Sequence, residues 1–283
     1  MKKAPFLKRS ALLLAMLAVC FSMLTAQTNR PKVGLVLGGG GAKGAAEVGV
    51  LKAMEQFNIP IDYIAGTSIG SIVGGLYAMG RTPEELDSLF TNQDWVELFS
   101  GNVREFLDSI TNGKRFEDLE VPFRCVATDV KNEREVVISS GPLGEAMRAS
   151  MSIPGVFKPV KKGGALLMDG GLINNLPVDV VKAMGADIVI AIDLQQEQHE
   201  NRTFSLKEKL GIGGALNWLI SRPDWKRYNT NKQLADIYIQ PLLEDYGVTD
   251  FKPAEIQQMI AIGYYAGMKA AEELKALKKR LEN

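Results

Sequence analysis

Short apolar runs that end in glycine and lead into helical patterns constrain the fold of this chain most. Val33–Leu37 is such a run, and the four glycines Gly38–Gly41 separate it from helical spacing over Ala45–Gln56. Ile61–Ala65 is a second run, followed by a glycine-rich helical pattern over Ser68–Met79. Strands that are apolar throughout are buried on both faces of their sheet. When helices alternate with such strands along the chain, each helix connects one strand to a parallel neighbour. The sequence predicts an α/β fold, a three-layer sandwich with a mainly parallel central sheet.

The same alternation continues toward the C-terminus. Thr82 and Pro83 mark the start of a helix through Phe90, because threonine caps a helix and proline fits its first turn. Helices are also predicted over Val178–Met184, closed by Gly185, and from Pro253 to about Leu281. Further strands are predicted at Phe123–Thr128, Val136–Ile138, Ala165–Met168, Ile188–Asp193 and Ile237–Gln240.

Residues 1–26 have the pattern of a signal peptide. Four basic residues precede an apolar run of 14 residues, Ala11–Leu24, which is too short to span about 30 Å of hydrocarbon comfortably. Ala26 favours cleavage before Gln27, and the alternatives are an uncleaved anchor or lipidation at Cys20. We expect an exported protein of the periplasm, the cell envelope or the medium. Residues 32–228 then form a catalytic domain, and residues 229–283 form a strand and helix that pack on it.

Charge and cysteine content narrow the class of function. The 33 basic and 33 acidic residues cancel, so no overall field attracts nucleic acid. After loss of the signal peptide, 29 basic residues face 33 acidic ones, which leaves a net charge of −4. Cys125 is then the one remaining cysteine, and its strand-like surroundings favour a buried free thiol over a nucleophile.

The first glycine loop is compatible with more than one kind of anionic ligand. Gly39, Gly41 and Gly44 satisfy G-x-G-x-x-G, yet a dinucleotide site also needs an acidic residue at the end of the second strand. Asp62 lies at the start of that strand instead. Lys43 does not stand where a phosphate-binding P-loop requires it. Free backbone amides before a helix suit either a phosphate or the oxyanion of a tetrahedral intermediate.

The second loop, Gly66–Gly70, is a nucleophile elbow that presents Ser68. Glycines two places before and after the serine permit a sharp turn between strand and helix, although a simple packing turn would use the same residues. The one histidine, His199, lies in a polar stretch that nothing positions, so a Ser–Asp–His triad is the weaker reading. Asp169, followed by Gly170 and Gly171, stands at a strand end and is the simplest base for Ser68, if the turn is not merely a hairpin.

Taken together, these loops resemble the patatin-like phospholipase family, in its bacterial, exported form. The resemblance covers Lys32–Asp193, with a weaker echo to the end. It is carried by five segments: Gly39–Gly44, Gly66–Gly70, Ser150–Pro159, Asp169–Gly171 and Leu172–Val178. It implies a patatin-like fold and hydrolysis of acyl esters of phospholipids or lysophospholipids through an acyl-enzyme. No metal or cofactor is implied. The partners would be a lipid or lysolipid substrate and, transiently, a membrane or micelle surface, with no nucleic acid.

The resemblance also assigns roles to individual residues. Ser68 would be the nucleophile and Asp169 the base of a Ser–Asp dyad. The oxyanion donors would be the amides of Gly39, Gly40, Gly41 and Ile69. The glycines that shape the loops would be Gly44, Gly66, Gly70, Gly170 and Gly171.

Two features leave the function open in part. Glu47 occupies a position where bacterial members often carry histidine, and a charge facing the site would disfavour an oxyanion. A catalytically weak patatin-fold envelope protein is therefore one alternative, and a nucleotide-binding protein is another. Residues 206–228 form an apolar cluster interrupted by glycines, interpreted either as a core helix or as a lid for lipid entry.

Overall fold

The computed structural model describes residues 30–101, 103–195 and 224–282. The signal peptide, His199 and all but the last five residues of the 206–228 segment lie outside these ranges, so their predictions stay predictions. None of the helices in the described ranges combines the length and apolar character needed to span a bilayer.

The centre of the fold is one eight-stranded sheet. The strands are β1 (Val33–Leu37), β2 (Tyr63–Thr67), β3 (Phe123–Asp129), β4 (Arg134–Ile138), β5 (Val160–Lys162), β6 (Ala165–Asp169), β7 (Ile188–Ile192) and β8 (Ile237–Ile239). Their order in the sheet is β5-β6-β3-β2-β1-β7-β8, and β4 pairs with β3. The neighbours β3, β2, β1, β7 and β8 run parallel, whereas β4, β5 and β6 are antiparallel to their neighbours.

Ten helices surround this sheet within the described residues. Three further single turns, Gly41–Gly44, Phe116–Asp118 and Gly170–Leu172, are 3₁₀. The helices are α1 (Ala45–Glu55), α2 (Ile69–Ala78), α3 (Pro83–Asn92), α4 (Trp95–Ser100), α5 (Val103–Ile110), α6 (Leu143–Ser150), α7 (Val178–Ala183), α8 (Trp225–Leu234), α9 (Pro253–Lys269) and α10 (Ala271–Glu282).

Alternate residues of the central strands enter two separate cores. Leu35 and Leu37 of β1 join a large cluster with α1, α2 and α9, whereas Val36 joins a smaller one with α7 and Tyr228 of α8. Successive strand side chains point to opposite faces, so helices must cover both sides of the sheet. The predicted three-layer α/β sandwich is confirmed.

Strand β3 explains how a distant strand end reaches the end of β2. Residues 123–126 of β3 pair with β2, residues 127–129 pair with β6, and β4 spans residues 125–129. A strand has only two edges and β4 overlaps both partners, so β2 and β6 share the other edge, end to end. Asp169, opposite Ala127, therefore lies next to the end of β2, where Thr67 is opposite Val126.

Several predicted element bounds were wrong. The fourth strand begins at Arg134, not Val136, and the helix that starts at Pro83 ends at Asn92, not Phe90. The second strand begins at Tyr63, not Ile61, although the Asp62 N–H already donates to the carbonyl oxygen of Val33 at 2.8 Å. The C-terminal helix is two helices, and Ala270, between α9 and α10, leaves the helical conformation with ψ of 9°.

Candidate active site

Ser68 lies on a strained turn between β2 and α2. Its φ of 55° and ψ of −123° fall in a region that side chains rarely occupy. A Cβ on Gly66 would lie 2.3 Å from the carbonyl oxygen of Gly70, and one on Gly70 would lie 2.5 Å from that of Leu37. Both flanks must therefore be glycine, as the spacing G-x-S-x-G predicts.

The turn aims the Ser68 hydroxyl at the Asp169 carboxylate. Ser68 Oγ donates a hydrogen bond to Asp169 Oδ2 at 2.7 Å, and both residues are buried. The backbone N–H of Gly171 donates to the other carboxylate oxygen, Oδ1, at 2.8 Å. A Cβ on Gly170 would lie 2.3 Å from the carbonyl oxygen of Val126, so glycine permits the approach of this turn to β3. The structure brings together the two residues that the sequence singled out as nucleophile and base.

Burial adjusts the Asp169 carboxyl toward the role of a base. Loss of solvent raises its pKa from 3.8 to about 7, while the hydrogen bonds from Ser68 and Gly171 oppose that rise. A carboxylate with a pKa near neutrality accepts a proton far more readily than one of ordinary pKa near 3.9. The pair is thus suited to general-base activation of a hydroxyl.

Ser150 holds the backbone of Ser68 in place, a contact that the sequence did not reveal. Its Oγ accepts a hydrogen bond from the Ser68 backbone N–H at 2.9 Å and donates one to the Val126 carbonyl oxygen at 2.6 Å. Two residues later, the carbonyl oxygen of Ser152 accepts the N–H of Asp169 at 2.9 Å. The end of α6 therefore holds both members of the pair. The available signal was the segment Ser150–Pro159, which contributes to the family resemblance.

The glycine loop runs beside Ser68, but one of its predicted donors is occupied. The backbone N–H of Gly39 donates to the carbonyl oxygen of Asn175 at 3.2 Å, and Asn175 Nδ2 donates to the Gly39 carbonyl oxygen at 3.1 Å. In this arrangement the Gly39 amide anchors the loop, so its N–H is already engaged by a backbone acceptor. The donors that remain as a prediction are Gly40, Gly41 and Ile69.

Contacts with the C-terminal part of the chain fix the other end of this loop. Gly41 has a φ of +60°, and a Cβ there would lie 2.3 Å from the carbonyl oxygen of Val248. That same oxygen accepts the N–H of Ala42 at 2.9 Å. A Cβ on Gly44 would lie 2.4 Å from Ile69 Cγ1. Glycine is thus required at both ends of the 3₁₀ turn that leads into α1.

Glu47 is buried in the first turn of α1, and neither carboxyl oxygen has a hydrogen-bond partner among the described residues. Burial raises its pKa well above 4.5, and the charge of Asp193 adds to that effect while the Gly38 amide opposes it. Burial therefore favours the uncharged acid, which would not repel an oxyanion. The expected electrostatic penalty from Glu47 depends on an ionised form that its surroundings disfavour.

A small apolar cavity of about 20 Å³ opens at the Ser68 side chain. Apolar side chains supply most of its surface, and the dyad serine and the glycine loop complete it. The lining residues are Gly41, Ser68, Ile69, Ile72, Met151, Ile153 and Phe251. A hydrocarbon chain is the ligand whose chemistry matches such a lining.

Several other predictions concern groups away from this pair. Asp62 accepts hydrogen bonds from Arg30 and Lys32 at the starting edge of the sheet, opposite to the edge where a dinucleotide ribose would bind. Cys125 is a buried free thiol, as predicted, and burial raises its pKa to about 12. Within the described ranges, no three acidic, histidine or cysteine side chains are grouped as a metal would require. The absence of a metal or cofactor stays a prediction.

The structure places a buried serine on a strand–helix turn, and this serine faces a buried aspartate beside a glycine-rich loop. These features define a class of α/β proteins with a Ser–Asp pair at the carboxyl edge of the sheet. The sequence model described as Patatin-like phospholipase matches residues 35–182, just over half of the chain. This chain belongs to the patatin-like phospholipase family.

Known relatives extend well beyond the region they share with this chain. Patatin-like phospholipase domain-containing protein 7 of Rattus norvegicus is 38% identical over 232 residues, which is 74% of this chain and 16% of the relative. Lysophospholipase nte1 of Aspergillus niger is 33% identical over 285 residues, 86% of this chain and 18% of the relative. The chain thus spans less than a fifth of either relative. The crystal structure of VipD from Legionella pneumophila shares the fold, with a TM-score of 0.53 and 13% identity over 86% of this chain and 67% of that one.

Proposed function

We propose that this protein hydrolyses acyl esters of phospholipids or lysophospholipids, with Ser68 as nucleophile and Asp169 as base. The observation that carries the proposal is the 2.7 Å hydrogen bond between the two buried side chains at the mouth of an apolar cavity. Family membership supports it, as do relatives whose names specify phospholipase and lysophospholipase.

Acylation begins with attack of Ser68 Oγ on the ester carbonyl carbon, as the hydroxyl proton passes to Asp169 Oδ2. The negative charge that develops on the carbonyl oxygen would be stabilised by the amides of Gly40, Gly41 and Ile69, the last at the positive end of α2. The tetrahedral intermediate then collapses, and the departing alcohol takes the proton from Asp169. The serine is left as an acyl ester.

Deacylation repeats these steps with water. Asp169 accepts a proton from water, whose oxygen attacks the acyl carbon of the Ser68 ester. Collapse of the second intermediate releases the fatty acid, and the proton on Asp169 returns to Ser68 Oγ. Atoms and charges balance without an added reactant other than water. The Gly171 amide keeps the carboxylate oriented throughout, because it occupies the oxygen that does not face Ser68.

The cavity indicates which part of the substrate lies next to the serine. Ile72, Met151 and Phe251 offer no hydrogen-bonding side chains, so a fatty acyl chain gains from leaving water there, by roughly 25 cal/mol for each Å² of apolar surface buried. The polar part of the lipid must then extend in another direction. This division of the substrate favours esters of long-chain acids over small soluble esters.

Replacement of the nucleophile tests the proposal directly. Ser68→Ala should lower the rate of fatty acid release from lysophospholipid by at least about 10³-fold, because no other described hydroxyl contacts Asp169. A fluorophosphonate should label the wild-type protein at Ser68 and leave the variant unlabelled. Ser109→Ala, an exposed serine on α5, is the matched control and should behave as the wild type.

The outcomes separate the competing functions. A folded wild-type protein that neither reacts with fluorophosphonate at Ser68 nor releases fatty acid contradicts the proposal. Tight binding of a nucleotide in calorimetry, with no labelling of Ser68, would instead favour the nucleotide-binding alternative. Labelling at Ser68 with very slow lipid turnover would identify a patatin-fold protein of weak activity.

A further inference from the structure

A cationic groove of about 500 Å³ is lined by residues that follow closely in sequence on those of the apolar cavity, Phe157 and Lys158 after Met151 and Ile153. Four basic side chains line it, together with one acidic side chain and the ring of Phe157. The charged lining residues are Arg104, Glu145, Arg148, Lys158 and Lys161. The whole chain has a formal net charge of zero, so this positive character is local and is not a consequence of composition.

The acidic residue in the groove does not neutralise the basic ones. Glu145 forms an ion pair with Lys162 Nζ at 3.1 Å, and Lys162 is not among the lining residues. Arg104 has an exposed partner, Asp108, at 3.7 Å, in a helical i,i+4 pair of the kind that contributes little. Excess positive charge therefore remains on the groove.

Arg148 is the most firmly held of these cations. Its Nη1 donates to Ser152 Oγ at 2.6 Å, its Nη2 donates to the carbonyl oxygen of Lys158 at 3.4 Å, and its guanidinium lies 4.7 Å from the centre of the Phe157 ring. Among the described residues no carboxylate lies within ion-pair distance of it, and partial burial lowers its pKa. A guanidinium has five N–H groups, so this one can still offer a planar fork to an anion.

The segment from Ser152 to Lys158 connects the groove to the dyad. Ser152, which receives the Arg148 hydrogen bond through its hydroxyl, accepts the backbone N–H of Asp169 through its carbonyl oxygen at 2.9 Å. The next residue, Ile153, lines the cavity at Ser68, and its carbonyl oxygen accepts the N–H of Phe157 at 3.0 Å. The apolar cavity and the cationic groove are therefore lined by neighbouring residues of one short segment.

We propose that this groove binds the phosphate of the lipid headgroup while the ester lies at Ser68 and the acyl chain lies in the apolar cavity. Arg148 makes the directional contact, and Lys158, Lys161 and Arg104 supply the surrounding positive potential. The inference rests on the proposed function and extends it, since it makes a phosphate-bearing lipid the preferred substrate over a neutral acyl ester. Inorganic phosphate carries the same chemistry and is a competing source of the anion.

The test compares two substrates with the same acyl chain, a lysophospholipid and a monoacylglycerol, both below their critical micelle concentrations. The variants are the double substitution Lys158→Gln with Lys161→Gln, and the single substitution Arg148→Gln. We expect the ratio of kcat/KM for the lysophospholipid to that for the monoacylglycerol to fall about tenfold or more in each. Lys275→Gln, an exposed lysine on α10, is the control and should keep the ratio of the wild type.

Each other outcome is decisive. An equal loss of kcat/KM on both substrates, or no change of kcat/KM on either, overturns the proposed headgroup site. A change seen only with vesicles of anionic phospholipid, and not with monomeric substrate, would make the patch a membrane-contact surface instead. Calorimetric binding of inorganic phosphate that the double variant loses, without any change in the substrate ratio, would leave a free-phosphate site and overturn the proposal.

Two controls distinguish loss of the headgroup site from misfolding and from loss of the dyad. Because Arg148 contacts Ser152, the thermal unfolding midpoint and the fluorophosphonate labelling of its variant are measured as well. The double lysine variant changes no side chain that contacts Ser152 or the dyad. A wild-type protein that hydrolyses neither substrate contradicts the proposed function itself, whereas one that hydrolyses both with equal kcat/KM contradicts only the headgroup site.

Discussion

The carboxyl group of Asp169 is an ionisable group with no solvent-exposed surface. Burial raises its pKa from 3.8 to about 7, so the folded protein holds that proton more tightly than the unfolded chain does. Stability is therefore lost as the pH rises from the unfolded value toward the folded one, because only the unfolded chain gains from ionisation in that interval. The burial that would make Asp169 a useful base also destabilises the fold.

Replacing this carboxyl by an amide should stabilise the protein as the pH rises. Asp169→Asn keeps the size of the side chain and cannot ionise, so it avoids the ionisation penalty of about 4 kcal/mol at pH 8 that the pKa shift implies. We expect the free energy of unfolding of the variant to exceed that of the wild type by about 3 kcal/mol more at pH 8 than at pH 5. Urea unfolding at the two pH values measures this difference.

The comparison isolates Asp169 from the other buried acids. Glu47 and Asp193 also have raised pKa values, but they are present in both proteins and their contributions cancel. The exposed Asp245→Asn serves as a matched control and should show no such growth with pH. A stability difference for Asp169→Asn that stays constant from pH 5 to pH 8 would show that its carboxyl is not titrating in this range.

Residue-level predictions succeeded where a local rule applied. Ser68 and its flanking glycines were predictable because the turn geometry excludes a Cβ at Gly66 and Gly70 from nearby backbone atoms. The use of the Gly39 amide could not be read from the loop, since its acceptor is the carbonyl oxygen of Asn175, 136 positions away. The role of Ser150 depends in the same way on a contact across 82 positions.

At the scale of secondary structure, helices α1 and α9 approach each other closely enough to require glycine. A Cβ on Gly49 of α1 would lie 1.9 Å from the carbonyl oxygen of Ile260, and one on Gly263 of α9 would lie 1.9 Å from that of Ala46. Backbone is therefore packed on backbone. Because α1 follows the glycine loop directly, this contact also fixes the end of the loop beside Ser68.

A methyl group at this contact should separate the two helices. Gly263→Ala gains about 1 kcal/mol of intrinsic helix propensity, but forcing a methyl into a packed site costs about 1–3 kcal/mol, and here the obstacle is rigid backbone. Rigid backbone at 1.9 Å places the steric cost at the upper end, about 3 kcal/mol, so we expect the variant to be about 2 kcal/mol less stable in urea unfolding. Ala261→Gly, at an exposed position of the same helix, measures the propensity term alone. A Gly263→Ala protein as stable as the wild type would mean that the helices can move apart freely.

Elements with a clear local signal were more predictable than those without one. The strands β1 and β7 are continuous apolar runs, and α3 has both a threonine cap and an initial proline, so each was predicted close to its observed bounds. Helix α4 has only six residues and β5 only three, which is too few to show a hydrophobic period, and both were missed. Helices α5 and α6, with eight residues each, were missed as well.

At the scale of the whole molecule, strand pairing rather than chain order assembles the candidate site. Ser68 and Asp169 are 101 positions apart and meet because β2 and β6 share one edge of β3. The alternation of strands and helices predicts the sheet but not this end-to-end arrangement, which depends on β6 running antiparallel to β3. Asp169 was paired with Ser68 from its place at a strand end between glycines and from the lack of a positioned histidine, and the resemblance to a family then supported that pairing.

The N-terminal 26 residues lead to a prediction about the location of the protein. We propose that these residues direct export and are then removed. The apolar run Ala11–Leu24 follows four basic residues and is too short to anchor the protein comfortably across about 30 Å of hydrocarbon. When the full chain is expressed in a Gram-negative host, the protein should be recovered from the periplasmic or culture fraction. Its intact mass should be that of a chain beginning at Gln27. Leu14→Arg places a charge in the run and should leave the protein uncleaved in the cytoplasm, whereas a chain lacking residues 2–26 should remain there yet react with fluorophosphonate at Ser68. Recovery of the uncleaved mass in the membrane fraction would show instead that the segment is an anchor.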